Sequence, residues 1–262
     1  MQPTLSSLFD LTGRSALITG GTGYLGSSFA EAFAEAGASV VIASRSRERA
    51  TEAAKGLPSV GQSHYGVELD HKDDESIERG FAEATELTDG LDVLVNNGQS
   101  GTVDDLVTID RQGFEDHGAN VSGYFLLARS LRDDAVKRGR PASVIMIGSM
   151  YGLVGSYPDA YEDICPASSV GYHAQKGGIL HMTRHLAVYW AKDSVRVNAL
   201  SPGPFPPDTV DTRLCERLSA KSPMGRMGRP HELKGALLLL ASDAGSYITG
   251  QNLVIDGGWT AW

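Results

Sequence analysis

Tyr172 and Lys176 stand four residues apart in the run Tyr172-His173-Ala174-Gln175-Lys176. On a helix this spacing puts both side chains on one face, so the phenol and the ammonium point the same way. A free tyrosine has a pKa of about 10, too high for ready proton exchange at neutral pH. A nearby cation favours the phenolate and lowers that value. The pair reads as an acid–base device. A second chemical signal is Thr19-Gly20-Gly21-Thr22-Gly23-Tyr24-Leu25-Gly26, where Gly20, Gly23 and Gly26 recur at every third position of a strand-to-helix turn. Glycine lets the backbone turn tightly and approach a pyrophosphate. The helix that follows supplies free N–H groups and a positive dipole end.

A third signal follows the next apolar run, in Ser44-Arg45-Ser46-Arg47. A carboxylate there would bind the ribose hydroxyls of NAD. A hydroxyl and a guanidinium fork instead suit a 2′-phosphate. Arginine also carries the wrong charge for the positive end of a helix, which argues against Arg45 and Arg47 merely solvating a helix start. The expected cofactor is NADP, with NAD as the alternative.

Positioning these groups requires strands that end beside one another. Apolar runs at 15–19, 39–43, 64–68, 91–95, 143–148, 195–200 and 252–255 alternate with helical stretches, the longest near 113–138 and 171–191. Such alternation predicts a parallel sheet with helices on both faces. Right-handed crossovers make it an α/β, doubly wound sheet of the Rossmann type. The 262 residues show no repeat and no linker, so residues 1–262 are expected to form a single domain. Two stretches, 150–170 and 204–222, are rich in Pro, Gly, Ser, Asp and Tyr, and each follows a strand. Loops at the carboxyl ends of strands are where such sheets bind ligands.

A net charge of −9 repels phosphate backbones, which sets nucleic acid aside as a partner. The two cysteines, Cys165 and Cys215, form no CxxC pattern, so free thiols in a reducing compartment are expected. The N-terminal stretch lacks the pattern of a signal peptide, and no apolar run reaches the roughly 20 residues of a membrane span. The expectation is a cytoplasmic enzyme without membrane contact. His181 and His185 share a helical face but lack the companions of a zinc site, so no metal is expected.

Taken in order, these residues resemble the short-chain dehydrogenase/reductase family over nearly the whole chain. The likeness rests on the glycine turn at 19–26, Asp70, Asn96-Asn97, Asn120, Ser149, Tyr172 with Lys176, Ser201-Pro202-Gly203, and the ending SDAGSYITGQNLVIDGG. The resemblance implies an NAD(P)-dependent oxidoreductase of secondary alcohols or ketones. It gives Tyr172 the proton, Ser149 a hydrogen bond to the reacting oxygen, and Lys176 the nicotinamide ribose and the tuning of Tyr172. It gives Asn120 a water relay behind Lys176. The cofactor residues it implies are Gly20, Thr22, Gly23, Tyr24, Leu25, Gly26, Ser44, Arg45, Asp70, Asn97, Lys176, Pro202 and Gly203, with Asp70 at the adenine and Leu25 near the nicotinamide. It also implies subunit pairing into a homotetramer or homodimer. The helix with Ile179, Met182, Leu186 and Tyr189 would supply the contact, and Trp259 and Trp262 would act as anchors.

Two departures stand out. Tyr24 occupies the middle glycine of the family's TGxxxGxG, giving TGxxGxxG, the spacing of its extended branch. Gln99 follows Asn97-Gly98 where a glycine is usual. The segment 150–170 is longer than in most members. Ser149-Met150-Tyr151-Gly152 and Tyr161-Glu162 resemble enzymes of the gluconate 5-dehydrogenase type and of bacterial surface-sugar pathways. By analogy this implies a small, polar, sugar- or polyol-type substrate. Tyr151, Tyr157 and Tyr161 would stack on it, and Asp159, Glu162 and Asp163 would accept from its hydroxyls. The alternatives are a 3-oxoacyl-thioester reductase and a catalytically idle NADP sensor.

Overall fold

In Ser15–Thr19 and Ala142–Ile147 every residue is buried, as expected of strands covered on both faces. The computed structural model describes residues 2–101, 106–166 and 168–261. A short helix α1 (Leu5–Phe9) precedes β1 (Ser15–Thr19), α2 (Tyr24–Glu35), β2 (Ser39–Ser44), α3 (Arg47–Lys55), β3 (Tyr65–Glu68), α4 (Asp74–Thr88) and β4 (Val93–Asn96). There follow α5 (Arg111–Arg138), β5 (Ala142–Ile147), α6 (Pro158–Tyr161), α7 (Val170–Trp190), β6 (Val195–Pro202), α8 (Thr212–Lys221), α9 (Lys234–Ala241) and β7 (Asn252–Ile255). Among the described residues the seven strands form one sheet, ordered β3-β2-β1-β4-β5-β6-β7, with every pairing parallel. The doubly wound, single-domain expectation holds.

Alternation along each strand divides the core. Leu17, Val41 and Leu94 pack with Tyr124, Leu127 and Ile179, on the side of α4, α5 and α7. Ile18, Val40 and Val93 pack with Phe29, Phe33 and Leu237, on the side of α2 and α9. Helix boundaries have local causes. The Asp73 carboxylate accepts from the Ser76 amide at 2.6 Å, and Asp110 accepts from Gly113 at 2.8 Å. Each satisfies an orphan donor of a first turn. Gly139, at φ 64°, ends α5 in the left-handed region that a side chain disfavours.

The stretches read as irregular carry more structure than their composition suggested. Residues 150–170 contain a 3-10 turn at Met150–Gly152 and helix α6. The Ser149 hydroxyl accepts from the Tyr151 amide at 3.1 Å and starts the turn, while Pro158 pre-sets the first position of α6. The segment 204–222 contains α8, whose first turn is capped by Asp211 accepting from the Arg213 amide at 2.8 Å. Trp259 is also not the anchor expected. It is buried, with its ring edge-to-face on Tyr157 at 5.4 Å, so it is spent within the subunit. Trp262 lies outside the described residues.

Helix α5 reaches the site only because Gly123 has no side chain. A methyl group there would overlap the backbone carbonyl oxygen of His71. Gly123→Ala is expected to push α5 off the β3–α4 connection and to cost about 1–3 kcal/mol, the usual penalty for overpacking. A fall in the urea midpoint with an unchanged slope would show it, and an unchanged midpoint would contradict it.

Candidate active site

The strand order reverses between β1 and β4, and a groove of about 670 Å³ opens at their carboxyl ends. Gly20, Thr22, Gly23, Tyr24, Leu25, Gly26, Ser44, Arg45, Asp70 and Asn97 all line it. Gly20 holds φ 61°, and a methyl group on Gly26 would overlap the Gly20 carbonyl. Gly23 begins α2 without a side-chain cap, so the helix presents bare N–H groups at the groove. Asn97 braces the turn from the far side, its amide donating to the carbonyls of Thr19 at 3.0 Å and Gly20 at 3.2 Å. This backbone cradle fits a dinucleotide diphosphate. Of the two candidate arginines, Arg47 is bound in both arms by Glu83, at 2.5 and 2.6 Å, while Arg45 lines the groove.

Beside the groove lies a pocket of about 530 Å³ into which Ser149, Tyr172 and Gly203 face. The Ser149 hydroxyl and the Tyr172 phenol face the same pocket, and Ser149 draws the phenol back toward its ordinary value. Lys176 is buried, donates to the Ile147 carbonyl at 2.8 Å, and lies 5.4 Å from the centre of the Tyr172 ring. The expected lowering of the tyrosine is not what these surroundings produce. Burial holds the Tyr172 phenol above its ordinary value, only partly offset by Ser149. The lysine yields instead, since burial pushes its ammonium down to about 7. A phenol held above its usual range stays protonated at neutral pH, and it gives the proton up only to an oxygen that is gaining charge beside it. Asn120 is buried on α5, but its side chain turns toward the backbone. Its oxygen takes the Ser100 amide at 3.1 Å and pairs with His71 at 2.8 Å, and its amide donates to the Ser100 carbonyl at 2.7 Å. Pro202 closes β6, and Gly203 donates to the Ile255 carbonyl at 2.9 Å.

A family model described as Enoyl-(Acyl carrier protein) reductase matches residues 23–260. The chain belongs to the short-chain dehydrogenase/reductase family. It is an NAD(P)-dependent oxidoreductase of alcohols and ketones. It is 33% identical to a sorbose reductase of Schizosaccharomyces pombe, over 97% of this chain and 99% of that protein. It is 32% identical to a 3-oxoacyl-(acyl-carrier-protein) reductase of Aquifex aeolicus, over 95% of this chain and 98% of that protein. Its fold superposes on the crystal structure of a gluconate 5-dehydrogenase from Burkholderia cenocepacia in complex with NADP and tartrate with a TM-score of 0.89. The two chains are 27% identical, with 99% of this chain and 100% of that one covered.

Within this short-chain dehydrogenase/reductase the segment 150–170 borders the pocket through Met150, Tyr151, Tyr161, Pro166, Ser168 and Ser169. Tyr151 is clamped between the His173 ring, stacked at 4.7 Å, and the Tyr161 hydroxyl at 2.5 Å. The other expected contacts are displaced. Tyr157 packs on Trp259, and the Lys221 ammonium lies 4.9 Å from its ring centre. Asp159 pairs with Lys221 at 2.6 Å, while Glu162 and Asp163 are exposed outside the pocket lining. Arg217 donates to the carbonyls of Asp159 and Glu162, and so fastens α6 to α8. Asp159, Glu162 and Asp163 are all exposed, so these carboxylates face solvent.

Two contacts went unforeseen. The Tyr24 hydroxyl crosses from the glycine turn to donate to the Pro206 carbonyl at 3.1 Å. A polar chain also runs along the pocket. Ser169 pairs with His117 Nε2 at 3.3 Å, His117 Nδ1 with Gln175 Oε1 at 3.4 Å, and Gln175 Nε2 donates to Gln99 Oε1 at 2.7 Å. Gln99 was visible as a departure. His117 and Gln175 were signalled only by their nearness to Asn120 and Lys176.

The buried lysine has a measurable consequence. Between about 7 and its ordinary 10.5, the unfolded lysine binds a proton that the folded one has lost. Stability from this group therefore rises with pH across that window, and below about 7 its penalty is complete. Lys176→Met removes the penalty, so the variant's stability advantage over the wild type should shrink between pH 7 and pH 10. Urea unfolding at both pH values checks this, and an advantage independent of pH would contradict it.

Proposed function

We propose that the protein uses NADP(H), with NAD(H) as the second choice, to interconvert a small polyol-type alcohol and its ketone. The observation that carries the reading is the meeting of Ser149 and Tyr172 at one pocket beside the glycine-lined groove. Gly20, Thr22, Gly23 and Gly26 would hold the diphosphate with the bare start of α2. Ser44 and Arg45 would hold the 2′-phosphate, Asp70 the adenine, and Asn97, Leu25, Pro202 and Gly203 the nicotinamide end. When bound, the cofactor supplies or accepts the hydride. In reduction, the carbonyl oxygen lies between Ser149, which donates a hydrogen bond, and Tyr172, whose phenolic proton passes to that oxygen. In oxidation the phenolate takes the alcohol's proton. Lys176 holds the ribose and steadies the charge left on Tyr172, and the helix carrying Asn120 backs it.

The sugar-type substrate draws support from the sorbose reductase and gluconate 5-dehydrogenase likenesses and from the polar residues of the pocket lining. A 3-oxoacyl-thioester substrate is the second reading. The Aquifex relative favours it, as do the apolar lining residues Met150, Phe205, Val210, Leu214 and Leu218. The cations nearby are committed, Arg213 to Asp211 at 3.0 Å and Arg217 to the α6 carbonyls, which weakens a carrier-protein dock. The reading also takes the protein to be a cytoplasmic homodimer or homotetramer. Val188 and Tyr189 stand exposed on α7 for such pairing, and the thiols Cys165 and Cys215 are free.

Tyr172→Phe should lower kcat by a factor of roughly 10² to 10⁴ while NADPH still quenches protein fluorescence with normal affinity. Near-normal kcat would remove Tyr172 from the mechanism, and a wild type that binds NADPH but turns over no substrate would make it a sensor. Arg45→Ala should weaken NADPH on the order of ten- to a hundredfold and NADH far less. Equal affinity of the wild type for both cofactors would defeat that assignment.

A further inference from the structure

Gln99 departs from its family's usual glycine, and its side chain meets Gln175, the residue before Lys176, in a reciprocal amide pair. Gln175 Nε2 donates to Gln99 Oε1 at 2.7 Å, and Gln99 Nε2 donates back at 3.2 Å. Gln175 is buried and has a second neighbour, the buried imidazole of His117 at 3.4 Å, which in turn pairs with Ser169 at 3.3 Å. Gln175 Oε1 faces the imidazole while the Gln175 amide donates to Gln99, and Gln99 in turn donates to the Ser100 carbonyl at 3.1 Å.

The backbone leaves room for this arrangement. A methyl group on Gly171 would come within 2.5 Å of His117 Cδ2, and one on Gly101 within 2.5 Å of its Cε1. Polar side chains this well fixed are costly to bury unless fully bonded, and once bonded they hold their orientation. Gln99, His117 and Ser169 line the same pocket as Ser149 and Tyr172, together with the apolar Phe205, Leu214 and Leu218. Gln99 Oε1, with one partner in Gln175, has capacity for a second donor.

We infer that Gln99 reads a hydroxyl group on the carbon next to the reacting carbonyl, and that Gln175, backed by His117, is the positioning residue that holds it. Hydroxyketones, the keto partners of vicinal polyols, are the substrate class that this wall selects. The inference rests on the ketone-reductase reading above. A ligand of this class sets its hydroxyl on the Gln99 amide and its carbon face on the apolar lining residues. A simple ketone reaches Ser149 and Tyr172 but leaves the wall unanswered, and a site built to hydrogen-bond a hydroxyl discriminates against the analogue lacking it.

The test compares 1-hydroxy-2-butanone with 2-butanone, which differ by one hydroxyl, at saturating NADPH so that cofactor effects cancel from the ratio. Acetoacetyl thioester is assayed alongside. The wild type should prefer the hydroxyketone. Gln175→Met and Gln99→Met should each lower that preference in kcat/KM on the order of ten- to a hundredfold, because each removes a hydrogen-bonding group from the wall. The loss should appear mainly in KM for the hydroxyketone, since the hydroxyl is not at the reacting carbon. The double variant should lose little more than Gln175→Met alone, as coupled neighbours do. Equal losses on both ketones would make the pair structural and overturn the inference. A wild type indifferent to the hydroxyl would overturn it while leaving the ketone-reductase reading standing. Turnover of the thioester alone would overturn both.

Discussion

Asn97 ties together the two halves of the sheet where the site is made. Its amide donates to the carbonyls of Thr19 and Gly20, across the point at which the strand order turns from β1 to β4. The Thr19 hydroxyl accepts the amides of Asn97 and Gly98 in return, each at 2.9 Å. With these bonds the glycine turn cannot open away from the end of β4, and the start of α2 stays aimed into the groove. The pocket depends on the same clamp. Gln99 follows directly on Gly98, so the position of the amide wall is inherited from the register of β1 against β4.

Burial then sets the chemistry. Lys176 sits where its ammonium has lost most of its solvent and keeps one fixed acceptor, the Ile147 carbonyl at the end of β5. The cost falls on the lysine, while the phenol beside it remains a firm proton holder. The two groups are matched less by attraction than by a shared dry environment, in which a small change of nearby charge moves protons readily.

Much of this was legible because parallel strands and their turns are local and periodic. The apolar runs located the strands, and the three-residue spacing of Gly20, Gly23 and Gly26 located the turn. The four-residue step from Tyr172 to Lys176 placed both on one face of α7. What stayed hidden was long-range. The partners of Asp159 and of the Glu162 carbonyl are Lys221 and Arg217 on α8, and no local pattern announces that pairing. Composition made 150–170 read as a loop of substrate-seeking tyrosines and carboxylates, but the carboxylates face solvent and Trp259 claims Tyr157. The sign of the Tyr172 shift was missed for the same reason, since spacing reports which groups are near and not how dry they are.

The hydroxyl of Tyr24, reaching the Pro206 carbonyl, makes the cofactor's compartment and the substrate's compartment share one moving part. The segment after β6 cannot swing away from the pocket without first letting go of the glycine turn. A net hydrogen bond of about 1 kcal/mol biases such a contact only about fivefold. Tyr24 is therefore a turnstile rather than a bolt. It links the wall of the nucleotide groove to the wall of the small-molecule pocket by a bond that either side can break at little cost.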